Sequence, residues 1–157
     1  MLKLEENKLV VTGSLVTFRF GVNKYDKNTE KYYVTVKVDP DQLTDEDRQT
    51  IHDTYFADAK EKYIPDMFKV DAKTGKVKKL ESEEALYLNL KSQYEVNIFF
   101  ASKGNKKFTW EEYNEEVENM TPYGSNVTLA CRLKSGSIYP LALKFNTVEK
   151  ATVDSYF

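Results

Sequence analysis

Residues 122–150 read PYGSNVTLACRLKSGSIYPLALKFNTVEK. In the first half, apolar side chains fall at every second position, at Val127, Leu129, Cys131 and Leu133. After a short polar link that contains a glycine, the alternation resumes at Tyr139, Leu141, Leu143 and Phe145. A period of two is typical of half-buried strands, and a short glycine-containing link is typical of a hairpin turn. The stretch therefore predicts a hairpin with one apolar face and one polar, basic face.

Two segments upstream predict a second hairpin. Residues 9–20 are rich in β-branched and aromatic side chains and are interrupted by Gly13, whereas Tyr32–Val38 alternates strictly. A polar turn at 21–31 joins them. Because a glycine inside a strand commonly marks a bulge or a bend, we expect the first strand to be long and bent at Gly13.

The region between Asp39 and Lys91 reads as an insertion. Thr44 followed by three acidic residues predicts a helix start, and Ile51, Tyr55, Ala59 and Tyr63 recur every four residues along one face until Pro65. We expect this helix to span 44–63. Residues 66–84 predict a mobile loop or a loose hairpin.

The remaining elements are two strands and a short helix. Ala85–Lys91 and Tyr94–Ala101 alternate as strands do, and Thr109 with Glu112 three residues later predicts a capping box. Outside the insertion, the order is long strand, strand, strand, helix, strand, strand. This order predicts a mainly β fold with two helices, a five-stranded OB-like Greek-key barrel with a helix and loop inserted between strands two and three. A β-sandwich remains the alternative.

Length and composition predict one domain over 1–157, with the insertion at about 39–91 and a short C-terminal tail at about 150–157. No apolar run reaches the length of a membrane span, and Lys3, Glu5, Glu6 and Lys8 interrupt any signal-like segment. Cys131 is expected to be a buried structural residue. A lone, buried cysteine indicates a reducing, cytoplasmic location.

Enzymatic chemistry is disfavoured by the residue pattern. His52 has no nearby cysteine or second histidine that would suggest a metal site, and Cys131 lies on a predicted core face. The acidic residues fall in helix first turns and on solvated helix faces, where they need no catalytic explanation. We therefore predict no catalytic residues, no metal and no cofactor.

The charges are unevenly distributed although the net charge is only -2. Acidic residues gather at 39–58, 81–84 and 111–118, whereas lysines and arginines lie on strands and hairpin tips, interleaved with aromatic residues. Rings that stack on unpaired bases, beside cations that follow the phosphates, are typical of proteins that bind single-stranded nucleic acid. The alternative is that strands are ordinarily rich in tyrosine and that lysines protect sheet edges. The candidate nucleic-acid-binding residues are Arg19, Lys24, Tyr25, Tyr33, Lys37, Phe99, Lys103, Lys106, Lys107 and Arg132.

Three features together resemble the OB-fold single-stranded-DNA-binding proteins of bacteriophages. They are the long first strand leading into a Tyr/Val-rich strand (VTFRF at 16–20, YYVTVKV at 32–38), the acid-capped helix after Asp39-Pro40, and the closing hairpin from Gly124 to Val148. The resemblance implies sequence-tolerant coating of single-stranded DNA in phage replication or recombination, in the cytoplasm of an infected host cell. It also implies phage or host replication and recombination proteins as partners, and no membrane.

Many members of that family end in an acidic tail closed by phenylalanine, and this chain ends ATVDSYF. One aspartate is far short of an acidic tail. The ending is therefore either a Tyr156-Phe157 anchor that docks across a homodimer or the fraying end of a last strand.

A different class of function remains open. The chain could be a protein-interaction module, such as a phage inhibitor of a host protein or a virion component. Its binding face would be one of the two predicted helices, 44–63 or the acidic helix 110–118.

Overall fold

A computed structural model of the chain describes residues 7–22, 29–80 and 86–150. Its strands and helices confirm the mainly β prediction with two helices. The strands are β1 (Lys8–Gly21), β2 (Lys31–Val38), β3 (Tyr87–Ser92), β4 (Asn97–Phe100), β5 (Met120–Thr121), β6 (Asn126–Lys134), β7 (Ser137–Phe145) and β8 (Glu149–Lys150). The α-helices are α1 (Asp45–Ile51) and α2 (Trp110–Glu116).

Six of the strands form one mixed sheet in the order β3-β2-β1-β6-β7-β4, and β5 pairs with β8 separately. Neighbours in the large sheet are antiparallel except β4 and β7, which are parallel. The sheet is open, since no ladder joins β3 to β4 among the described residues. Yet these two edge strands are consecutive in the chain, separated only by residues 93–96, and β3 also contacts β7.

The main sheet has six strands where five were expected. The additional strand is β3, which pairs with β2, whereas β4 pairs with β7. Residues 87–91 were predicted to lie inside the insertion, whereas Leu88 and Leu90 are buried in the main sheet. Tyr94, expected to lie on the following strand, is instead exposed in the link between β3 and β4.

β1 lies between β2 and β6 in the sheet, pairing with β6 through residues 8–14 and with β2 through residues 13–21. Gly13 lies where the two ladders meet, opposite both Val38 and Val127. A Cβ atom there would lie 2.0 Å from the carbonyl oxygen of Lys37. The expected bulge is not at Gly13 but between Leu15 and Thr17, and the role of the glycine is to let two backbones approach closely.

The hairpin of β6 and β7 forms as predicted, with a different register near its turn. Val127, Leu129, Cys131 and Leu133 are buried, as are Leu143 and Phe145. The register shifts between Ala130 and Cys131, which pair with Ala142 and Pro140 and leave Leu141 as the extra residue. A bulge changes which residues face the core, so Tyr139 is half-exposed opposite Arg132 instead of in the core.

Helix α2 packs an aromatic cluster against the sheet. Thr109 caps it in the predicted capping box, in which each of Thr109 and Glu112 accepts a hydrogen bond from the backbone N–H of the other. Tyr113 is buried, its ring centroid 5.5 Å from that of Phe145 and 5.1 Å from that of Phe18. Trp110 also contacts Phe18 edge-on.

The inserted helix is shorter than predicted. α1 ends at Ile51 and a π turn, His52–Phe56, follows it. The wider turn brings Phe56 into the core, where it stacks on Phe68, whereas Tyr63 lies 63% exposed in a separate 3-10 turn, Glu61–Tyr63. The regular four-residue stripe therefore does not form, because the π turn shifts the buried face by one position.

Residues 66–80 follow the inserted helix and form, in part, the loose hairpin that was one of the two predictions for 66–84. A bridge between Val70 and Val77 closes a small hairpin, but Met67 and Phe68 just before it are buried in the core. The buried guanidinium of Arg48 donates to the carbonyl oxygens of Met67 and Lys78, at 3.0 and 2.8 Å, and pairs with Asp45. These bonds hold the segment against α1. Within the described ranges, no helix has the length and apolar character needed to cross a membrane.

Candidate nucleic-acid interface

The side of β1, β2 and β3 that faces away from the core carries three rows of residues aligned across the strands. The ladders place Arg19 opposite Tyr33 and Tyr33 opposite Lys91. The next row holds Thr17, Thr35 and Asn89, and the third holds Ser14, Lys37 and Tyr87. We call these nine residues the outer face. They include three cations and two tyrosines and no carboxylate.

The ladders bring cations and rings of the outer face into contact. The guanidinium carbon of Arg19 lies 3.9 Å from the centroid of the Tyr33 ring, and the Lys37 ammonium lies 5.8 Å from that of Tyr87. In the middle row the Thr35 hydroxyl donates to the side-chain oxygen of Asn89 at 3.0 Å. Cation–π contacts of this kind orient the side chains at the protein surface.

The local fold explains why these residues face outward. Val34, Val36, Leu88 and Leu90 alternate with them and are buried, so the intervening side chains of β2 and β3 must face the other way. In β1, the bulge between Leu15 and Thr17 changes the alternation. Phe18 is therefore buried and Arg19 lies next to Tyr33 on the outside.

This arrangement has the chemistry needed to hold a single strand of nucleic acid. Flat rings accept stacked bases irrespective of base identity, and lysine and arginine neutralise the phosphates between them. Hydroxyl and amide groups, here Thr17, Thr35 and Asn89, can hydrogen-bond to phosphate and sugar oxygens.

Three of the ten predicted site residues lie together on the outer face, namely Arg19, Tyr33 and Lys37. Arg132 lies on β6, opposite Lys8 of β1 and Tyr139 of β7. Phe99 is on β4, the other edge strand, opposite Lys144. Lys24 and Tyr25 lie outside the described residues.

The lysines of the loop after β4 face the acidic helix. Lys103 lies 3.8 Å from a carboxylate oxygen of Glu116, and Lys106 lies 3.5 Å from one of Glu112. The Lys106 ammonium also lies 4.6 Å from the centre of the Phe108 ring, and Lys107 is exposed beside it. These lysines thus belong to a different element from the outer face, and two of them are partly neutralised.

The three residues that β3 contributes to the outer face, Tyr87, Asn89 and Lys91, are not among the ten predicted site residues, although Tyr87 and Lys91 belong to the aromatic and basic residues that the sequence places together on strands. Their alternation with Leu88 and Leu90 was visible, but nothing local to this segment indicates that it pairs with β2. That pairing joins residues 50 to 60 positions apart in the chain, with the inserted α1 segment between them.

The side chains of Cys131 and His52, which could in principle be reactive, are buried or hydrogen-bonded within the fold. Cys131 is fully buried, and burial raises the pKa of its thiol well above the ordinary value, which disfavours the nucleophilic thiolate. Nδ1 of the largely buried His52 lies 3.0 Å from a carboxylate oxygen of Asp53, and that hydrogen bond lowers the pKa of Asp53. Among the described residues there is no group of three or more histidine, cysteine or acidic side chains that could hold a metal ion.

The chain was compared with known proteins at three levels. No protein-family model, no curated protein and no solved structure matches it.

Proposed function

We propose that this protein binds single-stranded DNA without strong sequence preference and without catalysing a reaction, and that the outer face is its principal contact surface. The resemblance to the phage proteins supplies the biological setting of the proposal, phage replication or recombination in the infected host cell, with the proteins of those processes as partners.

The observation that carries the proposal is the row Arg19–Tyr33–Lys91. One ring lies between two cations on adjacent strands, with the Arg19 guanidinium 3.9 Å from the ring centre. Repetition of the pattern at Lys37–Tyr87 gives a second ring and cation on the same face. A single strand of DNA that crosses β1, β2 and β3 would meet both rings and three positive charges.

We also infer that the fold is an OB-like barrel whose third strand is interrupted. Joining β3 and β4 across residues 93–96 would give five strands, with the third antiparallel to β2 and parallel to β7. Helix α2 lies between that strand and β6 in the chain and packs on Phe18 and Phe145, as a helix closing one end of a barrel does. In such barrels the face of strands two and three binds oligonucleotides, which agrees with the location of the outer face.

The proposal is tested by the fluorescence anisotropy of labelled oligo-dT, a few tens of nucleotides long, titrated with the protein at two salt concentrations. We expect binding that weakens as salt rises, with log K falling by about 0.7 per phosphate contact for each unit of log salt. Tyr33→Ala should weaken binding about tenfold because a stacking surface is lost. Tyr33→Phe, which keeps the ring, should bind almost as the wild type does.

The matched control is Tyr123→Ala, because Tyr123 is 58% exposed in the link between β5 and β6. Its removal should leave DNA affinity unchanged. If the folded wild type does not bind oligo-dT even at low salt, the proposal is wrong, and a protein-interaction function becomes the better account. If the wild type binds oligo-dT but Tyr33→Ala and Tyr123→Ala have the same affinity for it, the assignment of binding to the outer face is wrong.

A further inference from the structure

A groove of about 340 Å³ lies beside the outer face, between the inserted segment and the hairpin of β6 and β7. Its lining includes Tyr63, Pro65, Asn89, Lys91, Ile138 and Tyr139. The volume is at the lower end of the range of about 300–1,000 Å³ that is usual for small-molecule sites.

The two walls of the groove are joined by a backbone hydrogen bond. The N–H of Gly136, in the β6–β7 turn, donates to the carbonyl oxygen of Tyr55 in the inserted segment at 2.6 Å. Ile64, next to Tyr63, is buried and anchors its wall in the core. The groove is therefore a formed feature of the fold rather than a gap between two independent loops.

Tyrosines and lysines dominate the surroundings of the groove. The Lys62 ammonium lies 4.9 Å from the centre of the Tyr63 ring, and the Lys134 ammonium lies 5.6 Å from that of Tyr139. Tyr94, itself exposed, lies with its ring centroid 6.2 Å from that of Tyr139.

The charge of the lining segments favours an anionic occupant. Residues 60–65, 89–91 and 134–139 carry Lys60, Lys62, Lys91 and Lys134 against the single carboxylate of Glu61. Exposed rings among cations suit a base attached to a phosphate chain better than they suit an uncharged ligand.

The groove is continuous with the outer face. Asn89 and Lys91 belong to both, since each lines the groove and each lies in an outer-face row on β3. Lys91 therefore belongs both to the row that holds Tyr33 and to the groove that Tyr63 and Tyr139 line.

We propose that this groove receives an unpaired base of the same single strand that the outer face binds, with Tyr63 as the stacking ring and Lys91 on the phosphate that connects the two sites. This proposal rests on the proposed single-strand binding. It adds a base subsite that the inserted segment contributes, in a region where the sequence predicted only an amphipathic helix.

The test compares two ligands of equal length, oligo-dT and a deoxyribose-phosphate oligomer without bases, at low salt. Tyr63→Ala should weaken binding of oligo-dT about tenfold and leave binding of the base-free oligomer unchanged, because only a base can stack on the ring. Tyr63→Phe should restore oligo-dT binding. Because Tyr63 is largely exposed, the variants should fold, which circular dichroism checks, and Tyr123→Ala is again the control.

The outcomes separate this proposal from the one on which it rests. If wild type and Tyr63→Ala bind oligo-dT equally while Tyr33→Ala binds weakly, the groove proposal is wrong and single-strand binding stands. If Tyr63→Ala lost the same affinity for oligo-dT and for the base-free oligomer, Tyr63 would not act on a base, and the groove proposal would again be wrong. Absence of any oligo-dT binding by the wild type would overturn both.

Discussion

Single residues determine both the path of the backbone and the direction of the outer-face side chains. Gly13 allows β1 to lie against the end of β2 while it also pairs with β6. Two residues further on, the bulge sets the orientation of Arg19, which lies beside Tyr33. A small backbone change near Gly13 therefore affects both stability and the candidate interface.

Gly13→Ala should destabilise the protein by at least about 2 kcal/mol, because the new methyl group would overlap the Lys37 carbonyl and the strands would have to separate. Urea unfolding followed by circular dichroism measures the change. Ser14→Ala, at the exposed neighbouring position, should stay within about 0.5 kcal/mol of the wild type. A Gly13→Ala protein as stable as Ser14→Ala would contradict the close-approach role.

For single residues, the sequence predicted which side chains are buried better than it predicted which are exposed. Alternation correctly predicted Leu129, Cys131 and Leu143 as buried. It misplaced Tyr139 because the bulge at Leu141 has no local signature in the sequence. Bulges depend on which residues of the partner strand are opposite, and that information comes only with the pairing.

Among the elements, α2 begins at a capping box whose hydrogen bonds are local. The Thr109 backbone N–H donates to the Glu112 carboxylate at 3.1 Å, and Lys106 lies nearby. That hydrogen bond is the main reason why the pKa of Glu112 lies below its ordinary value of 4.5, and the charge of Lys106 lowers it further. A carboxyl group with a lowered pKa in the folded state stabilises the fold above its unfolded pKa, and this contribution is lost as the pH falls through the folded value.

Glu112→Gln should therefore lower stability at neutral pH by more than it does in acid. Urea unfolding at neutral pH and well below pH 4.5 measures both differences. Glu118→Gln, at an exposed position after the helix, is the matched control for the loss of one negative charge. If the Glu112→Gln difference were the same at both pH values, the carboxylate would not have the role assigned to it.

The capping boxes of α1 and α2 were predictable because their hydrogen bonds join residues only three positions apart. The length of the inserted helix was not predictable in the same way. Its π turn brings Phe56 against Phe68, a contact made by a segment that carries no helical signal of its own. Tertiary packing therefore outweighed the four-residue apolar repeat that predicted a longer helix.

For the whole molecule, the order of strands along the chain could be predicted but the place of β3 in the main sheet could not. Tyr87–Ser92 and Asn97–Phe100 both have strand patterns, yet only the pairing shows that one joins β2 and the other joins β7. The pairing of β3 with β2 matters for the proposed function because β3 supplies Tyr87, Asn89 and Lys91 to the outer face. A site formed across three strands, one of which follows an insertion, cannot be recognised from any single segment.

The predicted lysine tip and the outer face offer two different locations for DNA. The tip lysines Lys103 and Lys106 have carboxylate partners on α2, whereas the outer face aligns cations beside rings on three strands. This alignment of rings and cations favours the outer face, and the two locations can be distinguished by mapping the contact directly.

The most direct measurement is a map of backbone amide chemical shifts in the ¹⁵N-labelled protein as oligo-dT is added. Binding through the outer face predicts that the largest changes occur in β2, β3 and the second half of β1, at residues such as Arg19, Tyr33 and Lys91. Chemical-shift changes confined to α2 and residues 101–107, or no chemical-shift change with excess DNA, would contradict binding through the outer face.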